Sequence, residues 1–190
     1  MALFSALGLL GFAMPAHAER YLTISDAQKL CFPQADRFER QVIRFSKKHS
    51  EAIDRKSGIR VMNRGNRISV AYQGTQLLGV LIVDYVMGKH ELIDYSVAVS
   101  PSGKVLQVEM LEYRESHGTE IRSKKWRSQF TGKTPESRLR LNDDIYNISG
   151  ATISCRQVTD GIKRVLATYD LVVRPRLATA DRQSKSEPTP

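Results

Sequence analysis

The stretch LIDYSVAVSPSGKVLQVEMLEY, Leu92 to Tyr113, decides the fold. Two runs rich in Val, Ile, Leu and Tyr flank Pro101-Ser102-Gly103, a set that favours a tight turn, so the segment predicts a β-hairpin. The same pattern repeats upstream. IRVMNR (59–64) before Gly65-Asn66, RISVAYQ (67–73) before Gly74, and QLLGVLIVDYV (76–86) before Gly88 read as further strands joined by short turns. Sequential strands with tight connections make a meander. The prediction is therefore an α+β fold: a single domain in which an antiparallel twisted sheet is flanked by helices, rather than a doubly wound parallel sheet.

Helical patterns lie on both sides of the strands. Ser25-Asp26 is placed to cap a short helix carrying Ala27, Leu30 and Cys31, which Pro33 stops. Ser46 to Ser57 reads as a polar helix ending at Gly58. After Tyr113, RESHGTEIRSKKWRSQFTGKT (114–134) begins as a polar loop and enters a short basic helix with Trp126 and Phe130 four apart on one face. SRLRLNDDIYN (137–147) reads as partly extended. Beyond it Val158, Ile162, Val165, Leu166 and Tyr169 recur at helical spacing, an apolar stripe that docks on the sheet.

The ends differ from this middle. Ala2 to Pro15 is apolar and precedes Ala16-His17-Ala18, a small-x-small pattern that predicts a signal peptide over residues 1–18, cut after Ala18. An N-terminal membrane anchor is the alternative, although the run is shorter than the ~20 apolar residues a spanning helix needs. No Lys or Arg precedes the run. Residues 19–173 form the expected domain, with its core motifs in 92–170. From Arg174 to Pro190 the composition turns to Pro, Ser and Arg, which predicts a disordered basic tail.

Of 190 residues, 41% are hydrophobic and 26% charged, the balance of a soluble globular chain, and the formal net charge is +9. In an exported, periplasmic protein such a charge points to anionic membrane surfaces, acidic partners or an anionic cofactor and not to nucleic acid; a solvated basic face is the plain alternative. In an oxidising compartment Cys31 and Cys155 either pair or pack separately. No CxxC or CxxCH occurs and the histidines at 17, 49, 90 and 117 are scattered, so no metal site is predicted.

The remaining feature is ISGATISCRQVTDG, Ile148 to Gly161. Ser149-Gly150-Ala151-Thr152 predicts a tight turn into a helix N-terminus. Its hydroxyls either cap the helix or stand beside first-turn amides that favour an anion such as phosphate. A hydrolase elbow G-x-S-x-G is excluded because Asn147 and Ala151 flank Ser149 where glycines are required, and no phosphate loop occurs.

In order, the hairpin, the Glu115-Ser116-His117-Gly118 loop, the aromatic helix and the S-G-A-T string resemble an FMN-binding domain family. Its members are flavin subunits of the sodium-translocating NADH:quinone reductase and the Rnf complex, and free-standing exported proteins, which the sequence resembles most. The resemblance runs from about Leu92 to Leu166, and more loosely from Asp26. It implies that a flavin transferase esterifies Thr152 through the phosphate of FMN, within a motif that includes Ser149, Gly150 and Ala151. It further implies that Glu115 and Gly118 lie against the cofactor; for Glu115 the alternative is a pair with Arg114 or Arg122.

His117 reads as an exposed loop residue, with a catalytic role as the alternative, and Trp126 and Phe130 as core aromatics anchoring their helix, with flavin stacking as the alternative. Lys124, Lys125 and Arg127 form a basic cluster suited to an acidic electron-transfer partner or to solvent. The family's string often carries an aspartate three residues before the Ser/Thr; this chain has Tyr146 there, with Asp144 two positions further upstream. The implied function is an exported electron carrier between a membrane reductase or cytochrome and other partners, without catalytic residues of its own. A flavin-free exported module binding an anionic ligand or partner, and a small flavin reductase, are the alternatives.

Overall fold

The structure is a computed structural model that describes residues 19–115 and 118–179. The expected signal peptide, Ser116, His117 and residues 180–190 lie outside the described residues. Among the described residues six strands form one antiparallel sheet: β1 (Glu19–Arg20), β2 (Arg37–Arg44), β3 (Gly65–Gln73), β4 (Gln76–Met87), β5 (Leu92–Val99) and β6 (Val105–Tyr113). Their order is β1-β6-β5-β4-β3-β2, so β3 through β6 are the expected meander, with β2 on its outer edge and β1 at the β6 edge. The β5–β6 hairpin closes at Pro101-Ser102-Gly103, where Gly103 has φ +87°, a backbone region that favours glycine.

Two expectations about the strands change. Ile59–Arg64 is a loop: α2 (Lys47–Ser57), capped by Ser46, stops at left-handed Gly58, and the chain then returns with Val61 N–H donating to Asp54 Oδ1 at 2.6 Å. Met62 is 72% exposed, so this run has no face to bury as a strand would. Instead β2 fills the edge position with RFERQVIR, a charged sequence of which only Ile43 is fully buried. Charge on an outer strand discourages edge-to-edge pairing with other chains. The cap of α1 (Ile24–Cys31) is Thr23 rather than Ser25-Asp26; Asp26 N–H donates to Thr23 Oγ1 while the Asp26 carboxylate accepts from Thr23 N–H.

Helices cover both faces of the sheet. On one face α4 (Thr152–Thr168) buries Cys155, Val158, Ile162, Val165 and Leu166 against Ile82, Val97 and Val108, each such side chain contributing about 1.5–3 kcal/mol. On the other, α1 places Ala27 and Cys31, with Phe32, over Ala71, Leu81, Ala98 and Leu111, while Leu30 points to solvent. The helical run after α4 passes through a π-type turn, Tyr169–Val173, and continues over residues 174–179. Residues 174–179, expected as the start of a disordered tail, are thus helical, and Arg174 pairs with Asp170 at 2.9 Å and lies over the Tyr169 ring.

The position of α4 is fixed by a buried polar joint. Asp84 on β4 accepts hydrogen bonds from Arg164 Nη2 at 2.7 Å, Tyr95 OH at 3.0 Å and Asn63 Nδ2. Close approach at this point needs Gly161, because a Cβ there would lie 2.2 Å from Tyr95 OH. Further along, Tyr169 OH donates to Pro101 O at 3.0 Å. The helix thus crosses the sheet from the end of β6 to the β5–β6 turn. Among the described residues no helix is long and apolar enough to cross a membrane.

Candidate functional site

At the β6 end of the sheet the chain turns at Ser149-Gly150 and enters α4. Gly150 has φ +83° and open space where a side chain would stand, and Ala151 N–H donates to Ile148 O at 3.0 Å. Ala151 occupies the cap position, so α4 begins without a side-chain cap. None of the motif's hydroxyls performs the capping role open to it. Ser149 is exposed, and Ser154 is buried with its Oγ 3.4 Å from Tyr113 OH. Thr152 is the first helical residue and is exposed, its Oγ1 accepting a hydrogen bond from Asn147 Nδ2 at 2.9 Å. Asn147 Oδ1 in turn accepts from Ile148 N–H, which fixes the amide.

The segment leading into the turn is held from below. Trp126 and Phe130, both buried, meet edge to face at 5.1 Å, and they lie in α3 (Lys124–Arg127) and the 3-10 turn Ser128–Phe130. Trp126 Nε1–H donates to Tyr146 O at 2.8 Å, and Tyr146 N–H donates to Gln129 Oε1. The backbone of Tyr146 is therefore anchored while its side chain is 79% exposed.

Asp144 does not stand in for an aspartate at that position. Its carboxylate accepts from Arg140 and Leu139 N–H groups and pairs with Lys133 at 2.7 Å, closing the 139–145 loop. Partial burial opposes its ionisation, and the Arg140 amide and Lys133 ammonium outweigh that, holding its pKa below the ordinary value.

Gly118 touches the motif turn. With φ +79°, it sits where a Cβ would lie 2.7 Å from Ala151 Cβ and 3.0 Å from Tyr113 OH. Glu115 instead serves the β4–β5 turn: its Oε1 accepts from His90 N–H at 2.6 Å and Glu91 N–H at 3.1 Å. Burial raises the Glu115 pKa, but these backbone donors outweigh it and the net shift is downward. Arg114 is occupied by Asp94 and Glu112, and the Arg122 guanidinium lies over the Tyr21 ring. The structure thus gathers Ser149, Gly150, Ala151, Thr152 and Gly118, with Glu115 bracing the neighbouring turn.

Two other sequence features resolve. Cys31 and Cys155 are free thiols in separate clusters, one on each face of the sheet. Burial, then the Glu109 carboxylate, pushes the Cys31 thiol up to about 12, and burial also raises Cys155, so neither is a ready nucleophile. Of the basic cluster, Arg127 is committed to Glu109, to Val108 O and to Arg122 O, which leaves Lys124 and Lys125 exposed. The Asn147–Thr152 bond had no signal in the sequence, where Asn147 served only to exclude a hydrolase elbow.

An exposed hydroxyl at the first position of an uncapped helix stands beside first-turn amides that have no intrahelical partner. First-turn amides and the helix dipole favour an anion there by about 0.3–1 kcal/mol from the dipole alone.

Comparisons with known proteins bear on the domain as a whole. Residues 88–167 match the family model described as FMN-binding domain. The fold is similar to that of Shewanella oneidensis NqrC in its crystal structure, with a TM-score of 0.56, 16% sequence identity, and coverage of 80% of this chain and 88% of that one. No curated protein matches the sequence.

Proposed function

We propose that this chain, which belongs to the FMN-binding domain family through residues 88–167, carries its flavin on Thr152 and serves as an exported electron carrier. FMN is the cofactor of the matched domain, and flavin-based electron transfer is the role we assign to it. One observation carries the placement: within the matched segment, Thr152 presents an exposed hydroxyl at the N-terminus of a helix that has no side-chain cap. The residues there fit a phosphate. Gly150 leaves open space above the turn, the first-turn amides face outward, and Asn147 holds the Thr152 oxygen in place.

Attachment requires a flavin transferase. A bond forms between Thr152 Oγ1 and phosphorus as the bond from phosphorus to the donor's leaving group breaks, and the hydroxyl proton leaves to a base on the transferase. Covalent linkage suits a chain working in the periplasm, where a cofactor held by equilibrium alone is lost when free FMN is scarce. When bound, the isoalloxazine supplies the redox chemistry. Ser149, Gly150, Ala151 and Gly118 shape its attachment point, while Glu115 stiffens the adjacent turn. A membrane reductase or cytochrome is the electron partner, and the chain acts as a carrier rather than a catalyst in its own right.

The test is co-expression of the mature chain with a flavin transferase, followed by a denaturing gel and intact mass. The wild type is expected to fluoresce and to gain the mass of one FMN less water, and Thr152→Ala to do neither. Identical behaviour of the two proteins overturns the attachment site. Yellow colour released on denaturation overturns the covalent bond while retaining FMN.

A further inference from the structure

The chain's positive charge is concentrated at one edge of the fold. Residues 37–67, which form β2, α2, the loop after it and the start of β3, contain ten Lys and Arg against three Asp and Glu, a net +7 of the chain's +9. Where β2 ends and β3 begins, a cleft of about 760 Å³ is lined by Arg44, Arg64 and Arg67 together with Val42, Val83 and Tyr85.

Strand alternation explains the cleft. Ile43, Ile68 and Ile82 point into the core under α4, so Val42, Arg44, Arg67, Val83 and Tyr85 share the opposite face, beyond the part that α1 covers. In the β2–β3 ladder Arg44 stands opposite Gly65 and Arg67 opposite Val42, which makes the two arginines diagonal neighbours at about 7–8 Å. Gly65 cannot be replaced by a larger residue, because a Cβ would lie 2.0 Å from Ile43 O; the position facing Arg44 is bare.

The guanidinium groups have no local acid to satisfy them. Asp84 and Asp94, the carboxylates at the cleft, are held by Arg164 and Arg114. Among the described residues Arg44, Arg64 and Arg67 form no ion pair. Beside them in the cleft Val42 and Tyr85 are exposed apolar side chains. Three like charges set round an apolar centre are costly to maintain in isolation and gain most when a carboxylate-bearing surface covers them.

We infer that this cleft is a docking site for a partner protein that inserts an acidic, protruding segment. The concave shape argues against a lipid surface, since a flat bilayer cannot meet all three guanidiniums in a cleft at once. The residue types agree: Arg and Tyr are enriched at protein interfaces, and the planar guanidinium grips a carboxylate with two parallel hydrogen bonds. The location bears on electron transfer as well. β2 and β4 end, and β3 and β5 begin, at the end of the sheet where β6 ends at Tyr113 beside the start of α4. A partner seated in the cleft therefore extends toward the sheet end that carries Thr152. The docking itself does not depend on the flavin reading and is measured on flavin-free protein.

The experiment titrates fluorescent poly-L-glutamate, and separately vesicles of phosphatidylglycerol and phosphatidylcholine, with the mature chain at low salt. The cleft variant Arg44→Gln/Arg64→Gln/Arg67→Gln is compared with an equal charge loss elsewhere, Lys104→Gln/Lys124→Gln/Lys125→Gln. All six side chains are exposed, so folding is preserved. The wild type is expected to bind poly-glutamate in a salt-sensitive way, the cleft variant about tenfold more weakly, and the lysine variant within about threefold of wild type. Equal weakening of both variants overturns the proposal in favour of diffuse charge. It is also overturned if the wild type ignores poly-glutamate, or if the arginines are needed for vesicle binding alone.

Discussion

Replacing Arg164 with Met tests the joint that holds α4 to the sheet. The Arg164 side chain is 7% exposed and that of Asp84 is 1% exposed, so the pair sits in the dry interior. Methionine keeps most of the aliphatic volume but removes the guanidinium, leaving the carboxylate with two neutral donors, Tyr95 OH and Asn63 Nδ2. Stripping one partner from a buried pair costs about 3–5 kcal/mol. That is a large part of the ~5–15 kcal/mol that holds a domain folded, and for a chain of this size it corresponds to a fall in Tm of roughly 6–20 °C. Removing both charges, in Asp84→Leu/Arg164→Met, restores most of the loss because a well-packed apolar pair avoids the desolvation of two ions. Urea unfolding of wild type, both single variants and the double variant gives the coupling. A loss below about 1 kcal/mol for Arg164→Met, with the single effects adding in the double, refutes a coupled buried joint.

Two further outcomes concern the loop around the proposed flavin position. Glu115 has a folded pKa below its ordinary 4.5, so its contribution is fully present above that value and is lost as pH falls through the folded value. The gap in melting temperature between wild type and Glu115→Gln is expected to shrink below about pH 4.5; a gap that stays constant down to pH ~3 removes the carboxylate from the account. Gly118→Ala places a methyl against Ala151 and Tyr113 OH at positive φ, and is expected to cost about 1–3 kcal/mol and to slow flavin loading. Gly150→Ala, strained but unobstructed, serves as the comparison, and equal stability of the two in urea melts contradicts the contact between Gly118 and the motif turn.

The sequence pattern carried the parts of the fold in which burial and alternation coincide. β4, β5 and β6 are buried on both faces over most of their length, so their runs of Val, Ile and Leu stand out, and α4 shows its stripe because one side faces the sheet. β2 was illegible for the opposite reason: an edge strand is selected for charge, and RFERQVIR alternates only weakly. Ile59–Arg64 misled because Val and Ile in a return loop look like a strand when the local donor, Val61 N–H, is satisfied by Asp54 from the preceding helix. At the site, Gly150 and the stripe placed the start of α4 at Thr152. The roles of Asn147, Asp144 and Gly118 depend on contacts that no spacing encodes.

The arrangement of α4 supplies a further argument about Thr152. A helix start is usually capped by a Ser, Thr, Asp or Asn side chain, worth about 1 kcal/mol. Within six residues this chain has Asn147, Ser149 and Thr152, and none of them caps. Asn147 spends its amide on Thr152 Oγ1, and Ser149 points to solvent. The helix tolerates that omission because its shaft is fixed elsewhere, by Arg164 on Asp84, by Tyr169 on Pro101 and by the contact of Ala151 with Gly118. A turn needed only to start a helix gains from a cap and loses nothing by having one. A turn that must offer one hydroxyl to another protein's active site, and afterwards leave the first-turn amides open to a phosphate, needs them bare. Anchoring the helix by its middle and far end while leaving its first residue uncapped suits the attachment proposed at Thr152.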